Sequence, residues 1–226
     1  MKFPIRTLTV AVAAALVVPT QAIFAQDENL TEEVVIIGTR TEGRSALDSP
    51  APVDVIGGET MNNQGDTDMS NLLRNVVPSY NVNDQPISDA ATLVRPANLR
   101  GLAPDHTLML VNGKRRHRAS VITWLGNGIS NGSQGPDAAA IPAGALKRIE
   151  VLRDGASAQY GSDAIAGVMN FVLNDASEGG SLEVRYGEYQ EGDGQQTTIM
   201  GNIGLPLGET GFLNLTAEWG ESDPTS

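Results

Sequence analysis

Apolar and polar residues alternate strictly in three stretches of the C-terminal part of the chain. In the first stretch, Leu182 and Val184 alternate with Glu183 and Arg185. An alternation of period two places one set of side chains on each face of a β-strand. The pattern therefore predicts three successive antiparallel strands joined by turns. The alternating stretches are residues 182–186, 198–205 and 213–219.

The two faces of these strands suit different surroundings. A polar set that includes Glu183, Arg185, Asn214 and Glu218 can face a wet lumen while the apolar set faces lipid, as in a transmembrane β-barrel. A half-exposed sheet on a soluble core is the alternative. Three strands leave an open edge whose backbone groups cannot be satisfied in lipid. Because the sequence stops at Ser226, just after the third strand, we expect a fragment or one piece of a split gene.

Residues 51–174 carry shorter and more mixed patterns, which predict a small α+β domain with a mixed β-sheet and short helices. Leu72 and Leu73 fall on one face of a predicted helix, and Asp68 is its candidate N-cap. An Asn-Gly pair at 112–113 follows an apolar run and is typical of a tight hairpin turn. We predict strands at residues 53–56, 107–111, 148–152 and 167–173, and helices or helical turns at 69–76, 143–147 and 155–160.

The first 25 residues predict a secretory signal peptide. Lys2 and Arg6 accompany an uncharged apolar stretch, and Ala25 supplies a small residue before the cleavage site. A membrane anchor is the alternative. The apolar stretch is shorter than the ~20 residues that a spanning helix needs, and Pro19 closes it. We therefore expect the chain to be exported.

Composition narrows the function further. The net charge is −12, and removal of the predicted signal peptide with its two positive charges makes it −14. Such an acidic chain argues against a nucleic-acid partner. The absence of cysteine excludes disulfides and thiolate metal sites. His106 and His117 stand far apart without a metal-ligand grouping, and no catalytic motif is complete. We expect no enzyme, no cofactor and no metal site.

Three ordered motifs carry a family resemblance. They are EEVVIIGTR at residues 32–40, LRGLAPDHTLMLVNGKR at 99–115, and IPAGALKRIEVLRDGASAQYGSDAIAGVMNFVL at 141–173. Together they resemble the TonB-dependent receptor family of the outer membrane. The resemblance implies a coupling box and linker at 26–50, a plug domain at 51–175 facing the periplasm, and the first strands of the barrel at 180–226. It also implies energy-coupled import of a scarce nutrient of the siderophore-iron, vitamin B12 or oligosaccharide class.

The first motif resembles the family's energy-coupling box, which implies contact with the energy-transducing protein TonB. A β-prone segment after a flexible polar lead can add as a strand to the sheet edge of a partner. A plain edge strand of the plug is the alternative. The predicted contact residues are Glu33, Val34, Val35, Ile36 and Ile37.

Two arginines match positions where the family carries plug arginines that pair with acidic residues of the barrel wall. They are Arg100 and Arg153. A charge buried at such an interface must be paired, so breaking the pairs is a plausible step in plug release. An ordinary strand-end arginine in water is the alternative. Asp154 replaces the glycine that many family members have after the second arginine, and it could pair with that arginine locally.

The basic run after the Asn-Gly turn is a candidate contact for an anionic ligand through Arg115, Arg116 and Arg118. A solvated loop is the alternative. For the chain as a whole, two other readings stay open. One is a soluble periplasmic binding or signalling module built on the plug alone, and the other is a truncated remnant without function.

Overall fold

The structure is a computed structural model. It describes residues 34–35, 37, 44–45, 51–64, 66, 68–82, 94–95, 97–123, 130–190 and 192–224. The predicted signal peptide lies outside the described residues, and so do Glu33 and Ile36 of the predicted coupling box. Within the described part of the chain, no helix is long and apolar enough to cross a membrane.

Twelve described strands form four sheets. The largest is a five-stranded mixed sheet, hereafter the plug sheet, in the order β3-β8-β9-β6-β7, with a parallel pair β6–β9 and otherwise antiparallel neighbours. The strands are β1 Val34–Val35, β2 Arg44–Ser45, β3 Val53–Gly57, β4 Tyr80–Val82, β5 Ala97–Leu99, β6 Thr107–Val111, β7 Lys114–Arg115, β8 Leu146–Leu152, β9 Gly167–Leu173, β10 Gly180–Gly187, β11 Gln196–Leu207 and β12 Gly211–Ser222.

Short helices connect these strands: α1 Gly58–Asn62, α2 Met69–Val76 and α3 Ser157–Tyr160, with 3₁₀ turns at Pro104–His106, Ala143–Ala145 and Ser162–Ala164. The predicted helix at 69–76 is confirmed by the observed helix Met69–Val76. Its predicted N-cap is confirmed as well, because Asp68 accepts a hydrogen bond from the Ser70 backbone N–H at 2.8 Å. The predicted helical turn at 143–147 is shorter than expected. Strand β8 begins at Leu146, where its backbone already pairs with Leu173 of β9.

The predicted hairpin turn at 112–113 is also confirmed. Asn112 and Gly113 have φ angles of 48° and 75°, the pair of positive values that a type I′ turn needs. Two hydrogen bonds that involve asparagine side chains join this turn to the neighbouring strand β9. The Gly113 N–H donates to Asn170 Oδ1 at 2.9 Å, and the Leu173 N–H donates to Asn112 Oδ1 at 2.9 Å. The β6–β7 hairpin is therefore fixed to β9 by polar contacts as well as by strand pairing.

The plug sheet is buried on both faces. The main core covers one face and contains Ile149, Val151 and Phe171 together with the apolar side of α2. The second core covers the other face with Leu108, Leu152 and smaller side chains. Because successive residues of a strand point to opposite faces, β8 supplies both cores. The second core consists of Ile37, Leu108, Leu110, Leu152, Ala156, Ala164 and Val168.

Strands β10, β11 and β12 form a separate antiparallel sheet, hereafter the wall sheet. Its register aligns Glu183, Met200 and Glu218 on one face, as the alternation predicts. The opposite face is apolar and exposed, with Leu182, Ile203 and Trp219 between 47% and 76% accessible. An exposed apolar face of this size is the pattern of strands that face lipid. The fold is thus a mixed α+β domain followed by the antiparallel strands of a transmembrane wall, as expected.

Tyr80 gives the main core a measurable response to alkaline pH. Burial raises the pKa of Tyr80 above its ordinary value of 10.0, and the negative charge of Asp137 adds to the shift. The folded state therefore holds its proton more tightly than the unfolded chain does, and this contribution to stability is lost as pH rises above about 10. We expect the plug to unfold more readily above that pH. Replacing Tyr80 by Phe should remove that part of the alkaline loss.

The test is the urea midpoint of unfolding of the purified, detergent-solubilised protein, measured between pH 8 and 11. Hydrogen exchange of the plug amides is the probe that reports unfolding. Equal slopes against pH for the parent and for Tyr80→Phe would contradict the assignment.

Candidate functional site

The predicted coupling segment is engaged within the chain. Val34 and Val35 pair antiparallel with Ser45 and Arg44, so β1 forms a hairpin with β2 and not a strand of the plug sheet. Ile37 is 1% exposed and belongs to the second core. A partner that adds to this segment as a strand therefore competes with contacts inside the chain.

Arg153 makes an ion pair with Asp54 across the β3–β8 ladder. Its Nη2 donates to Asp54 Oδ1 at 2.9 Å, and its Nε also contacts the carboxylate. The pairing of Val53 with Leu152 places the two side chains next to each other. Both are about one-third exposed, at 35% and 33%. The suggestion that Asp154 pairs with Arg153 is therefore wrong, because Asp54 supplies the carboxylate.

Arg100 adopts a strained backbone conformation. Its φ is 56°, and the next residue, Gly101, has a φ of 69°. The left-handed region costs a residue with a side chain about 1–2 kcal/mol relative to glycine. The Arg100 N–H donates to the Ser79 carbonyl at 2.9 Å, which holds the turn after the β4–β5 pair. Such strain is typical of positions whose side chain is needed in one direction.

The side chain of Arg100 is loosely held. Its Nη1 lies 3.4 Å from the Ala166 carbonyl and 4.0 Å from the Asp154 carboxylate. The two partners of the ion pair are 42% and 62% exposed, so solvent screens it strongly. Arg100 and Arg153 thus lie at the same end of the plug sheet, with Asp154 between them. Of the two, Arg100 has more donor capacity left for another partner.

The basic run after the hairpin turn lines a cleft of about 230 Å³. Arg115 has a structural role there, because it donates to Asp163 Oδ2 at 2.6 Å and to the Tyr160 carbonyl. Arg116 Nε donates to the Asp137 carbonyl at 2.9 Å. The Arg118 guanidinium is half exposed and lies 3.8 Å from Asp105. The predicted arginines are therefore brought together, but each already contacts the protein.

One buried hydroxyl beside this cleft lacks a partner. Thr107 is 2% exposed and lines the cleft, and its Oγ1 forms no hydrogen bond among the described residues. A buried hydroxyl without a partner costs free energy unless a ligand or water completes it. The Thr107 oxygen is closed off from the cleft, so the groups that the cleft presents are its arginines together with the carboxylates of Asp105 and Asp163.

Sequence reasoning missed the contacts between the plug and the wall sheet. Arg185, expected to face a wet lumen, is only 20% exposed and reaches three backbone carbonyls near the end of α1. Met200 packs its sulfur 3.1 Å from the Gly144 N–H, where an added Cβ would lie 2.4 Å from that sulfur. The period-two pattern gave the face of each residue. The three carbonyls that Arg185 contacts are 119 or more residues away along the chain, so no local signal identifies them.

Two features define the class of protein. The plug sheet is buried on both faces, and its domain packs against the polar face of the wall sheet, whose other face is apolar and exposed. It is a plug domain seated on a transmembrane β-wall, the design of an outer-membrane receptor. Residues 45–168 match the TonB-dependent Receptor Plug Domain family, which is more than half of the chain. The chain belongs to that family.

Known relatives agree with this assignment. The chain is 32% identical over 150 residues to an iron-regulated outer membrane virulence protein of Vibrio cholerae, covering 66% of the chain and 21% of the relative. It is 28% identical to a vitamin B12 transporter of Photobacterium profundum, covering 92% and 30%. A crystal structure of the ferric enterobactin receptor of Pseudomonas aeruginosa aligns with a TM-score of 0.60 and 26% identity, covering 78% and 25%.

The chain thus spans about a fifth to a third of the length of these relatives. One is named as an outer membrane protein, one as a transporter and one as a receptor. Together with the family match, they confirm the predicted class, the outer-membrane location and the expectation that the chain is not an enzyme. The substrate differs among them, so the family match alone does not select one.

The strain at Arg100 can be measured by two substitutions at that position. Arg100→Gly should leave the turn after β5 about 1 kcal/mol more stable than Arg100→Ala does, because only alanine keeps the left-handed penalty. Both variants lose the same side-chain contacts, so the difference isolates the backbone. Hydrogen exchange of the amide at position 100, which donates to Ser79, reports the local opening. Equal protection in the two variants would show that the turn is unstrained.

Proposed function

We propose that the chain provides the plug and the first wall strands of a receptor that imports a scarce nutrient across the outer membrane with energy coupled through TonB. The observation that supports this most is the seating of the plug on the inner face of the wall sheet through Met200 and Arg185. A plug fixed inside a wall blocks the lumen, so import needs the plug to change. Export by the predicted signal peptide and a plug that faces the periplasm follow from the same proposal.

The energy input enters at Glu33, Val34, Val35, Ile36 and Ile37. Val34 and Val35 are already extended and paired, so their backbone can exchange one strand partner for another. Ile37 ties the same segment to the second core. If TonB pulled the segment away, apolar side chains of the plug sheet would therefore be exposed. The force that TonB applies would in this way destabilise the plug.

Proline at position 36 tests this role. Ile36→Pro removes a backbone donor from the segment, and we expect it to abolish energy-dependent uptake by the full-length receptor while ligand binding stays intact. Ile36→Ala is the matched control, because it shortens the side chain and keeps the donor. Radiolabelled uptake and equilibrium binding are measured on the same cells. Uptake that survives in the proline variant would place the coupling contact elsewhere.

Arg100 and Arg153 are proposed to secure the plug to acidic residues of the barrel wall. Arg100 supports this better, because its side chain is 42% exposed and its pair with Asp154 is long. Arg153 already has Asp54, so it can take a wall partner only by sharing or exchanging that carboxylate. Arg100→Gly is the informative variant for transport, since it relieves the backbone strain while deleting the contact.

The ligand is proposed to be a nutrient of the siderophore-iron, vitamin B12 or oligosaccharide class, with an anionic group contacting Arg115, Arg116 and Arg118. The cleft supports an anionic contact through Arg118, whose guanidinium is half exposed and only 3.8 Å from its one carboxylate partner. Charge-assisted hydrogen bonds from guanidinium groups are the strong ones in such sites. Relatives named for iron and enterobactin, and one named for vitamin B12, keep these classes open.

Arg118 gives the cleanest test of the cleft, because its contact with Asp105 is long and its loss should not disturb the fold. We expect Arg118→Ser to weaken binding of an anionic siderophore complex by about tenfold, the effect of one lost charge-assisted hydrogen bond. Lys114→Ser is the matched control, since it removes a neighbouring exposed cation outside the cleft. Titration of the purified receptor gives the affinities. Equal losses in the two variants would indicate a general charge effect and no site.

A further inference from the structure

The wall sheet holds the plug at one corner through Arg185 of β10. Its Nη1 donates to the carbonyls of Gln64 at 3.2 Å and Asp66 at 2.7 Å, and its Nη2 donates to the Asn62 carbonyl. These carbonyls lie at and just beyond the end of α1. The C-terminal end of a helix carries partial negative charge and carbonyls without helical partners, so a guanidinium satisfies both. Glu183 on the same strand pairs with Arg185 and orients it.

A second wall residue secures the same corner. Met200 lies against Gly144 of the 3₁₀ turn Ala143–Ala145, so close that an added Cβ on Gly144 would displace the Met200 sulfur. That turn and α1 lie in contact. Where the turn leads into β8, an added Cβ on Gly58 would lie 2.3 Å from the Leu146 carbonyl oxygen. Two adjacent wall strands, β10 and β11, therefore hold two adjacent pieces of the plug.

The predicted coupling segment lies at the other end of the plug sheet. Ile37 belongs to the same core as Leu152, which pairs with Val53 at the start of β3, whereas α1 follows Gly57 at the end of β3. Those two ends of β3 are about 13 Å apart at the rise of a β-strand. Along the chain the order is coupling segment, β2, β3 and α1, and β3 is an edge strand of the plug sheet. A pull that has opened the β1–β2 pair therefore reaches β3 before α1 and can separate β3 from β8 one residue after another, starting at Val53.

We propose that Arg185 is the anchor at which such a pull stops. The anchor keeps α1 and the rest of the plug on the wall while the coupling segment and β3 are drawn away. Arg185 is thus a positioning residue for transport that touches neither ligand nor TonB. This inference rests on the proposed function for the direction of the pull, but the anchoring contact itself can be tested without transport.

Thiol labelling tests the anchor, because this stretch has no cysteine of its own. Ser70→Cys places a thiol in α2 just beyond the anchor, at a position that is 0% exposed. In the full-length receptor we expect slow labelling by a small maleimide, and about tenfold faster labelling when Arg185→Met is added, since its guanidinium bonds are lost. Tyr186→Phe is the matched control, since Tyr186 is the exposed neighbour of Arg185 on β10, its hydroxyl bonds only to Glu188, and its change should alter labelling little. Ser133→Cys, buried elsewhere in the plug, should stay protected in every background.

Unchanged protection of Ser70→Cys in an inserted, ligand-binding Arg185→Met receptor would overturn the anchor. If Arg185→Met does not assemble, a covalent bridge decides. Met200→Cys and Ala143→Cys keep Arg185 and lie at the same corner. Joined by a short bis-methanethiosulfonate, which forms a disulfide with each thiol and releases sulfinate, they should leave energy-dependent uptake unchanged, because the corner does not leave the wall; a reductant reverses the bridge. Uptake that stops on bridging and returns on reversal would overturn the proposal. A parent receptor without TonB-dependent uptake would contradict the proposed function, while the labelling result would still report the anchor.

Discussion

The rest of the structure depends on the burial of strands β8 and β9 between two apolar layers. Their backbone groups are satisfied by neighbours on both sides in the plug sheet, and their side chains supply both cores. A strand buried on two faces cannot slip in register without moving apolar residues from one layer to the other. This fixes where β3 and β6 pair. It thereby fixes the two ends of the sheet, one with the arginines and the coupling segment and the other with the wall contacts.

Much of this fold follows from local patterns in the sequence. The helix Met69–Val76 was predicted at its observed bounds because an N-cap aspartate and helical spacing are local signals. The Asn-Gly turn and the three alternating strands were predicted for the same reason. Strands β4 and β5 were missed, because three residues each are too short to show periodicity. Helix α1 was missed as well, since its five residues carry no capping side chain.

The candidate site was less predictable than the fold. Sequence reasoning named the arginines, but their partners depend on tertiary structure: Arg153 meets Asp54 across 99 residues of chain, and Arg185 meets the Asn62 carbonyl across 123. The second of these has a backbone atom as its acceptor, so no residue type marks it. The coupling segment was read either as a box or as a plug strand. The plug-strand alternative is wrong, because the segment pairs with Arg44 and Ser45 outside the plug sheet, and the coupling role stays a prediction.

The burial of Ile37 sets a free-energy cost that any partner must overcome to bind the coupling segment in its free form. Burial of an isoleucine side chain contributes about 1.5–3 kcal/mol, so this residue alone favours the docked segment over the free one on the order of ten- to a hundredfold. A partner that binds only the free form has its apparent affinity reduced by the same factor. Mutations in other apolar residues of the core that contains Ile37, such as Leu108 and Val168, would therefore change that affinity without touching the partner's contact surface.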